Sequence, residues 1–289
     1  MWSRGRSARR RPAPAHDAWP NPQRARVLLL HSLAAHGHWW DWVAPLLAVR
    51  FDVLALDFRG HGGSDHGADG RYGFDDYVGD VLAVLTALGG PPPLVIGHSM
   101  GGYIAARLAA RHPARIAGVV ITDILTAWPD DFAKFARRQA ERPAMAFASV
   151  AVAGERFKLA PPDPRTPPER VRHLGETGVV ARPAGDWTYA FDRRVFLHPP
   201  VDPWPFLAQI AVPALVVHGE HSPIMSAASA RRVAAAIPRG QSLTLAGAHH
   251  IWSSRSPRRS REPCSSGPAP RCFEYNPRQV GTLVDKEHE

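Results

Sequence analysis

Short apolar runs recur along the chain, separated by stretches in which apolar residues return every three or four positions. Val27–His31, Phe51–Leu56, Leu94–Ile96, Ile116–Thr122, Ala214–His218 and Ser242–Leu245 have strand length. Most are continuously apolar, the pattern of parallel strands buried on both faces. Between them Trp39–Val49, Asp75–Leu88, Met100–Arg111 and Arg231–Ile237 show helical spacing, with Tyr77, Val81, Val84, Leu85 and Leu88 on one face of the second. Pro91-Pro92-Pro93 stops that helix, and Pro113 stops the next. The alternation predicts an α/β fold, a mostly parallel sheet with helices on both faces.

Leu125–Pro213 breaks the pattern, with helix-like pieces and many prolines but no clear strand. Falling between two sheet strands, residues 125–205 read as a mainly helical cap inserted over the C-terminal edge of the sheet, where open α/β sheets bind ligands. The core is then 26–124 and 206–252. Residues 1–25 are basic, Pro-rich and aperiodic, and are expected to be disordered, as are residues 253–289.

Composition narrows the class. The net charge of +9 invites a nucleic-acid reading, but residues 1–26 carry seven arginines against Asp17 alone, and the tail from Ser253 has seven basic residues against five acidic. The body between them is close to neutral, without a basic stripe or aromatic–basic interleaving, so neither nucleic acid nor a charged surface is the expected partner. Only Lys134, Lys158 and Lys286 among 35 basic residues are lysine, a skew that fits GC-rich coding. The two cysteines, Cys264 and Cys272, form no disulfide framework and have no ligand partners at metal spacing, so no metal is expected and a reducing cytoplasm is the default. No apolar run approaches the ~20 residues of a membrane span. The Arg-rich start lacks the apolar segment of a secretory signal; a transit peptide and a misassigned start codon stay open.

Chemistry concentrates in Gly97-His98-Ser99-Met100-Gly101, a G-x-S-x-G placed between a strand and a helix. That context puts a serine hydroxyl on a tight turn above the sheet. A serine needs a base and the base an orienting acid, in chain order serine, acid, histidine. Just past the last core strand stand His249 and His250; His250 is preferred, with His249 as the alternative. His36, His38, Trp39, Trp40 and Trp42 read as helix-to-core packing before they read as a substrate wall. Asp57 and His61 read as a turn brace, and Arg193 with Arg194 as a solvated face.

Residues 27–252 resemble the α/β-hydrolase superfamily through several ordered landmarks: Leu28-Leu29-Leu30-His31, Asp57-Phe58-Arg59-Gly60-His61-Gly62, the serine turn, Val212–Gly219 and Gly247–His250. The resemblance implies a serine hydrolase that cleaves a small to medium ester, lactone or amide through an acyl-enzyme, without a cofactor. It implies oxyanion donors at the amides of Leu33 and Met100. Three departures stand out. Ser32 replaces the family's glycine and is expected to perturb the oxyanion loop. The usual acid position holds Ser222, which leaves Asp123, with Glu220 as the alternative. No closing helix follows the histidine. Ile251–Pro268 can be back-translated so that skipping two bases yields Leu-Val-Leu-Glu-Glu-Pro-Glu-Ala-Leu-Ala-Arg-Ala-Leu-Leu-Glu-Arg-Ala, so the tail is expected to be out of frame. Rival readings are a protein of this fold with little or no activity, serving as a binding module or a damaged gene product, and a C–C bond hydrolase.

Overall fold

Each apolar run finds a neighbouring strand, so its backbone groups pair, and in the interior strands the side chains bury on both sides. The computed structural model describes residues 16–67, 70–200 and 202–250. Strand β1 (His16–Trp19) precedes β2 (Arg26–Leu30). A 3₁₀ turn (Gly37–Trp40) and α1 (Ala44–Ala48) lead to β3 (Asp52–Leu56), and α2 (Phe74–Leu88) to β4 (Leu94–His98). Then come α3 (Met100–Arg111) and β5 (Gly118–Thr122). Residues between β5 and β8 form α4 (Phe132–Glu141), α5 (Val150–Arg156), α6 (Pro168–Thr177), β6 (Val179–Ala181), β7 (Trp187–Tyr189) and α7 (Trp204–Leu207). The described chain closes with β8 (Ala214–Gly219), α8 (Ala227–Ala235) and β9 (Gly240–Leu245).

The main sheet runs β1-β3-β2-β4-β5-β8-β9, parallel except for the antiparallel edge strand β1. Alternate strand residues point to opposite faces. Leu28, Leu30, Leu54, Leu56, Val95, Ile121 and Val216 join α2, α3, α7 and α8 in one core. Val27, Leu29, Val53, Ala55, Ile96 and Val217 join Trp39, Trp40, Ala44, Leu47 and Leu174 of α6 in the other. On this second face Leu215, Leu243 and Leu245 stay only partly buried.

Three sequence expectations need correction. Residues 1–25 are not wholly without structure: His16–Trp19 is β1, paired with β3 in the register Asp17↔Ala55. An edge strand has one partner and one open side, so four residues without a period suffice. The helix expected over Trp39–Val49 is two pieces, because Pro45 has no N–H to donate and fits only a first turn. The segment 125–205 contains strands after all: β6 and β7 make a hairpin pinned by an Arg182–Asp186 ion pair, with Gly185 in its turn at φ +85°. Residues 1–15 and the tail from Ile251, with its expected frame change, lie outside the described residues.

One buried ion pair locks the turn after β3 to α2. Arg59 donates from Nε and Nη2 to the two Asp80 carboxylate oxygens at 2.5 and 2.6 Å, and both side chains are buried. The carboxylate beside it holds the guanidinium above its ordinary pKa. Arg59→Ala would strand Asp80, and breaking a buried pair from one side costs about 3–5 kcal/mol. A shift of that size in urea-denaturation stability is the expected result; a change under about 1 kcal/mol, the range of an exposed pair, would contradict it.

Candidate active site

Ser99 sits between the last residue of β4 and the first of α3 with φ +53° and ψ −115°. Its N–H donates to the Thr122 carbonyl at 2.8 Å, and its own carbonyl accepts from Tyr103 N, the first helical bond. Strand therefore turns into helix within one residue. The flanking glycines are required by space: a Cβ on Gly97 would overlap the Gly101 carbonyl, and one on Gly101 would overlap the Leu30 and His31 carbonyls. Met100 is the first residue of α3, so its N–H has no intrahelical acceptor and is free for an oxyanion.

Asp123, fully buried at the end of β5, also has positive φ, +53°. Its N–H donates to the Val217 carbonyl, and its carboxylate accepts from Gly219 N at 3.1 Å and Ser222 Oγ at 2.6 Å. Oδ1 lies 3.3 Å from Nδ1 of the buried His250. The approach is out of line for a hydrogen bond, and Nδ1 is left without a hydrogen-bond partner. Ser222, in the position where the acid was first sought, instead donates its hydroxyl to the carboxylate. Glu220 is directed elsewhere: Oε2 accepts from Gly247 N at 2.6 Å, which braces the start of the histidine loop. His249 stands beside His250 with its own Nδ1 unpaired, and its carbonyl packs against Gly219.

In the loop after β2 the strain falls two residues away from expectation. The non-glycine residues with positive φ among the described residues are Ala34 (+55°), Ser99 and Asp123; Ser32 is not one of them. The glycine-like conformation is thus carried by Ala34, whose N–H donates to His61 Nε2 at 3.1 Å. Leu33, partly exposed, lies between these two residues.

Comparison with known proteins completes the picture. Residues 25–161 match the family profile described as alpha/beta hydrolase fold. The thioesterase domain from the curacin biosynthetic pathway superposes with a TM-score of 0.71 at 23% identity, over 83% of this chain and 90% of that one. The chain has the α/β-hydrolase fold. A serine hydrolase-like protein of Danio rerio is 38% identical over 108 residues, 37% of this chain and 33% of that protein. The 2-(acetamidomethylene)succinate hydrolase of Mesorhizobium japonicum is 25% identical over 236 residues, 80% of this chain and 83% of the enzyme. The chain spans only 30–42% of the length of the first curated relatives it matches.

Around the site, other polar residues serve the structure. Asp57 accepts from Gly37 N at 2.6 Å and from Gly63 N at 2.8 Å, bracing its turn. Arg194 pairs with Asp192, which also accepts from Tyr72 Oη at 2.6 Å, and the Arg193 guanidinium lies over the Phe191 ring. Trp40 is core, and Trp39 is buried with its indole N–H on His98. Among the described residues one group has metal-ligating chemistry: His38, Asp41 and His173. Both histidines meet the same Asp41 oxygen, at 3.1 and 2.7 Å, so the group closes on itself as a clasp between the start of α1 and α6. The Asp41 hydrogen bond raises the His38 pKa; hydrogen bonds from both histidines lower that of Asp41 against the effect of burial. No helix among the described residues is long and apolar enough to cross a membrane.

Burial makes several histidines neutral. It lowers His31 and His61 to about 3, and His98 well below its ordinary value. Unfolded, each titrates near 6.5. Above that pH neither state is protonated and nothing is lost; as pH falls toward the folded values, only the unfolded chain takes up protons. Each such group then costs ~1.4 kcal/mol per pH unit, so three cost about 6 kcal/mol by pH 5. Urea midpoints should fall steeply between pH 6.5 and 5, and a flat profile across that range would refute the neutral histidines.

Proposed function

We propose that the protein is a serine hydrolase acting on a small to medium ester, lactone or amide through an acyl-enzyme intermediate. The observation that carries this reading is the placement of Ser99, on its strained turn at the end of β4, beside the end of β5, where Asp123 Oδ1 lies 3.3 Å from His250 Nδ1 and the His250 ring lies 4.6 Å from that of His98. Ser99 Oγ attacks the carbonyl carbon and His250 takes its proton. Asp123 Oδ1, facing Nδ1, holds the imidazole with its other nitrogen free and stabilises the imidazolium that forms. The Met100 and Leu33 amides receive the oxyanion, a term of roughly 3–4 kcal/mol per donor. His250 then hands the proton to the leaving group, and water repeats the sequence on the acyl-enzyme. Asp123 is preferred to Glu220 because Glu220 is committed to Gly247 N.

Residues 125–205 act as the cap that sizes the substrate. Asp192 N donates to the Gly60 carbonyl at 2.8 Å, Gly62 N to Ala190 O, and Arg165 to Gly247 O, so this segment is tied both to the turn after β3 and to the histidine loop. The relatives support hydrolysis: one is named a serine hydrolase-like protein, one a hydrolase and one a thioesterase domain. The test is stoichiometric labelling by a fluorophosphonate probe, with the added mass mapped to the peptide holding Ser99. Mass on any other serine, or none at all, removes the proposal.

A further inference from the structure

His98, the variable residue before the nucleophile in Gly97-His98-Ser99, is fully buried at the end of β4. Its two ring nitrogens have unequal partners. Trp39 Nε1, which can only donate, gives its N–H to His98 Nδ1 at 3.1 Å. Nδ1 is therefore a lone-pair acceptor, and the proton of the neutral ring resides on Nε2. Nε2 in turn lies 2.8 Å from the backbone carbonyl of His250 and donates to it. The His98 and His250 rings approach to 4.6 Å between centroids. Protonating His98 would break the Trp39 bond and place a charge against His250; burial and the neighbouring histidine both oppose it.

This chain of bonds starts in the 3₁₀ turn after β2, crosses β4 and ends on the base. The His250 imidazole meets Asp123 Oδ1 at 3.3 Å but out of line for a hydrogen bond, so its direction depends on where its backbone is held as well as on the carboxylate. From this geometry we infer that His98 is a positioning residue, in the tautomer set by Trp39, that holds the His250 backbone and so aims the base at Ser99. The inference rests on the triad proposed above. It assigns a role in the same site to two residues, His98 and Trp39, that touch no substrate.

Five full-length proteins test it: wild type, Ser99→Ala, His98→Leu, His98→Gln and Trp39→Phe. Leucine has comparable bulk without a donor, while the glutamine amide places an N–H near the position of Nε2. The readouts are the rate of fluorophosphonate labelling, kcat and KM for p-nitrophenyl acetate, and the imidazole ¹⁵N spectrum of His98. Misaiming a catalytic group by about 1 Å costs on the order of a hundredfold. His98→Leu should therefore lower kcat and labelling by about that factor, with KM within about threefold, the signature of lost transition-state alignment. His98→Gln should recover to within about tenfold of wild type, the scale of a supporting-residue defect. Trp39→Phe should leave the fold intact, mix the two His98 tautomers in the ¹⁵N spectrum and lower kcat.

Equal losses in the leucine and glutamine proteins would overturn the inference, since a packing role alone predicts them. If His98→Leu does not fold, the Trp39→Phe protein decides, and an unchanged tautomer with an unchanged kcat overturns it. Labelling that survives Ser99→Ala, or is absent from wild type, withdraws the triad and this inference with it. The wild-type ¹⁵N spectrum separates the two failures, because it reports the His98 bond whatever the activity.

Discussion

Ser99→Ala should abolish fluorophosphonate labelling and lower kcat for p-nitrophenyl acetate by about 10⁶-fold, the loss seen when a serine nucleophile is removed. The fold should survive, because the Ser99 hydroxyl makes no bond that holds the turn. The bonds that do are the Ser99 N–H to Thr122 O and Tyr103 N–H to Ser99 O, both backbone, and the two glycine contacts beside them. Alanine keeps all of these at a φ of +53°, which it tolerates no worse than serine. Circular dichroism and melting temperature should thus match wild type while activity vanishes. Residual activity within about a hundredfold of wild type, far above the background that binding and oxyanion donors alone supply, would place the nucleophile elsewhere.

The acid gives the second large effect. Asp123→Asn should lower kcat by about 10⁴-fold, as in a triad whose acid has become an amide that favours the wrong histidine tautomer. The amide NH2 would also replace one of the two oxygens that now accept from Gly219 N and Ser222 Oγ at 3.1 and 2.6 Å, leaving one of these donors facing an N–H. Stability should therefore fall too, and thermal melts separate that part from the kinetic one. Glu220→Gln removes only a charge that braces Gly247, and kcat should fall by less than about tenfold. Reversed magnitudes would assign the acid to Glu220, and two small effects would leave His250 without an acid.

The sheet was legible in the sequence because five of its strands are apolar over most of their length, which burial on two faces explains, while β9 alternates polar residues with Leu243 and Leu245. The elements that were not legible lack that signal. β1 borrows its stability from the exposed side of β3; β6 and β7 are three residues each and depend on a turn and an ion pair. At the site, Ser99 announced itself through glycines whose missing Cβ atoms the packing demands. The acid was harder, since Asp123 belongs to no local motif, and its bonds to Ser222 and Gly219 bridge 99 and 96 residues of sequence. His98 and Trp39 were missed, although a signal was present. A histidine directly after an apolar strand is forced into the interior, and a buried imidazole needs partners for both nitrogens. Ala34 was missed because the positive φ was expected at residue 32, where a glycine usually stands.

Those three positive-φ residues have a bearing on how this protein would respond to engineering. Ala34, Ser99 and Asp123 occupy the loop after β2 and the positions proposed here for the nucleophile and the acid, and each non-glycine residue held in such a conformation costs about 1–3 kcal/mol. Together they weigh heavily against a total stability of ~5–15 kcal/mol. A library selected only for heat resistance would find gains at Ala34 and Ser99, with glycine as the preferred replacement, while the bonds from Gly219 N and Ser222 Oγ hold Asp123 in place. Ala34→Gly would be harmless in such a screen, whereas Ser99→Gly would be selected and inactive. Directed evolution of this scaffold therefore has to score turnover in every round, because its thermostability optimum and its catalytic optimum lie at different sequences.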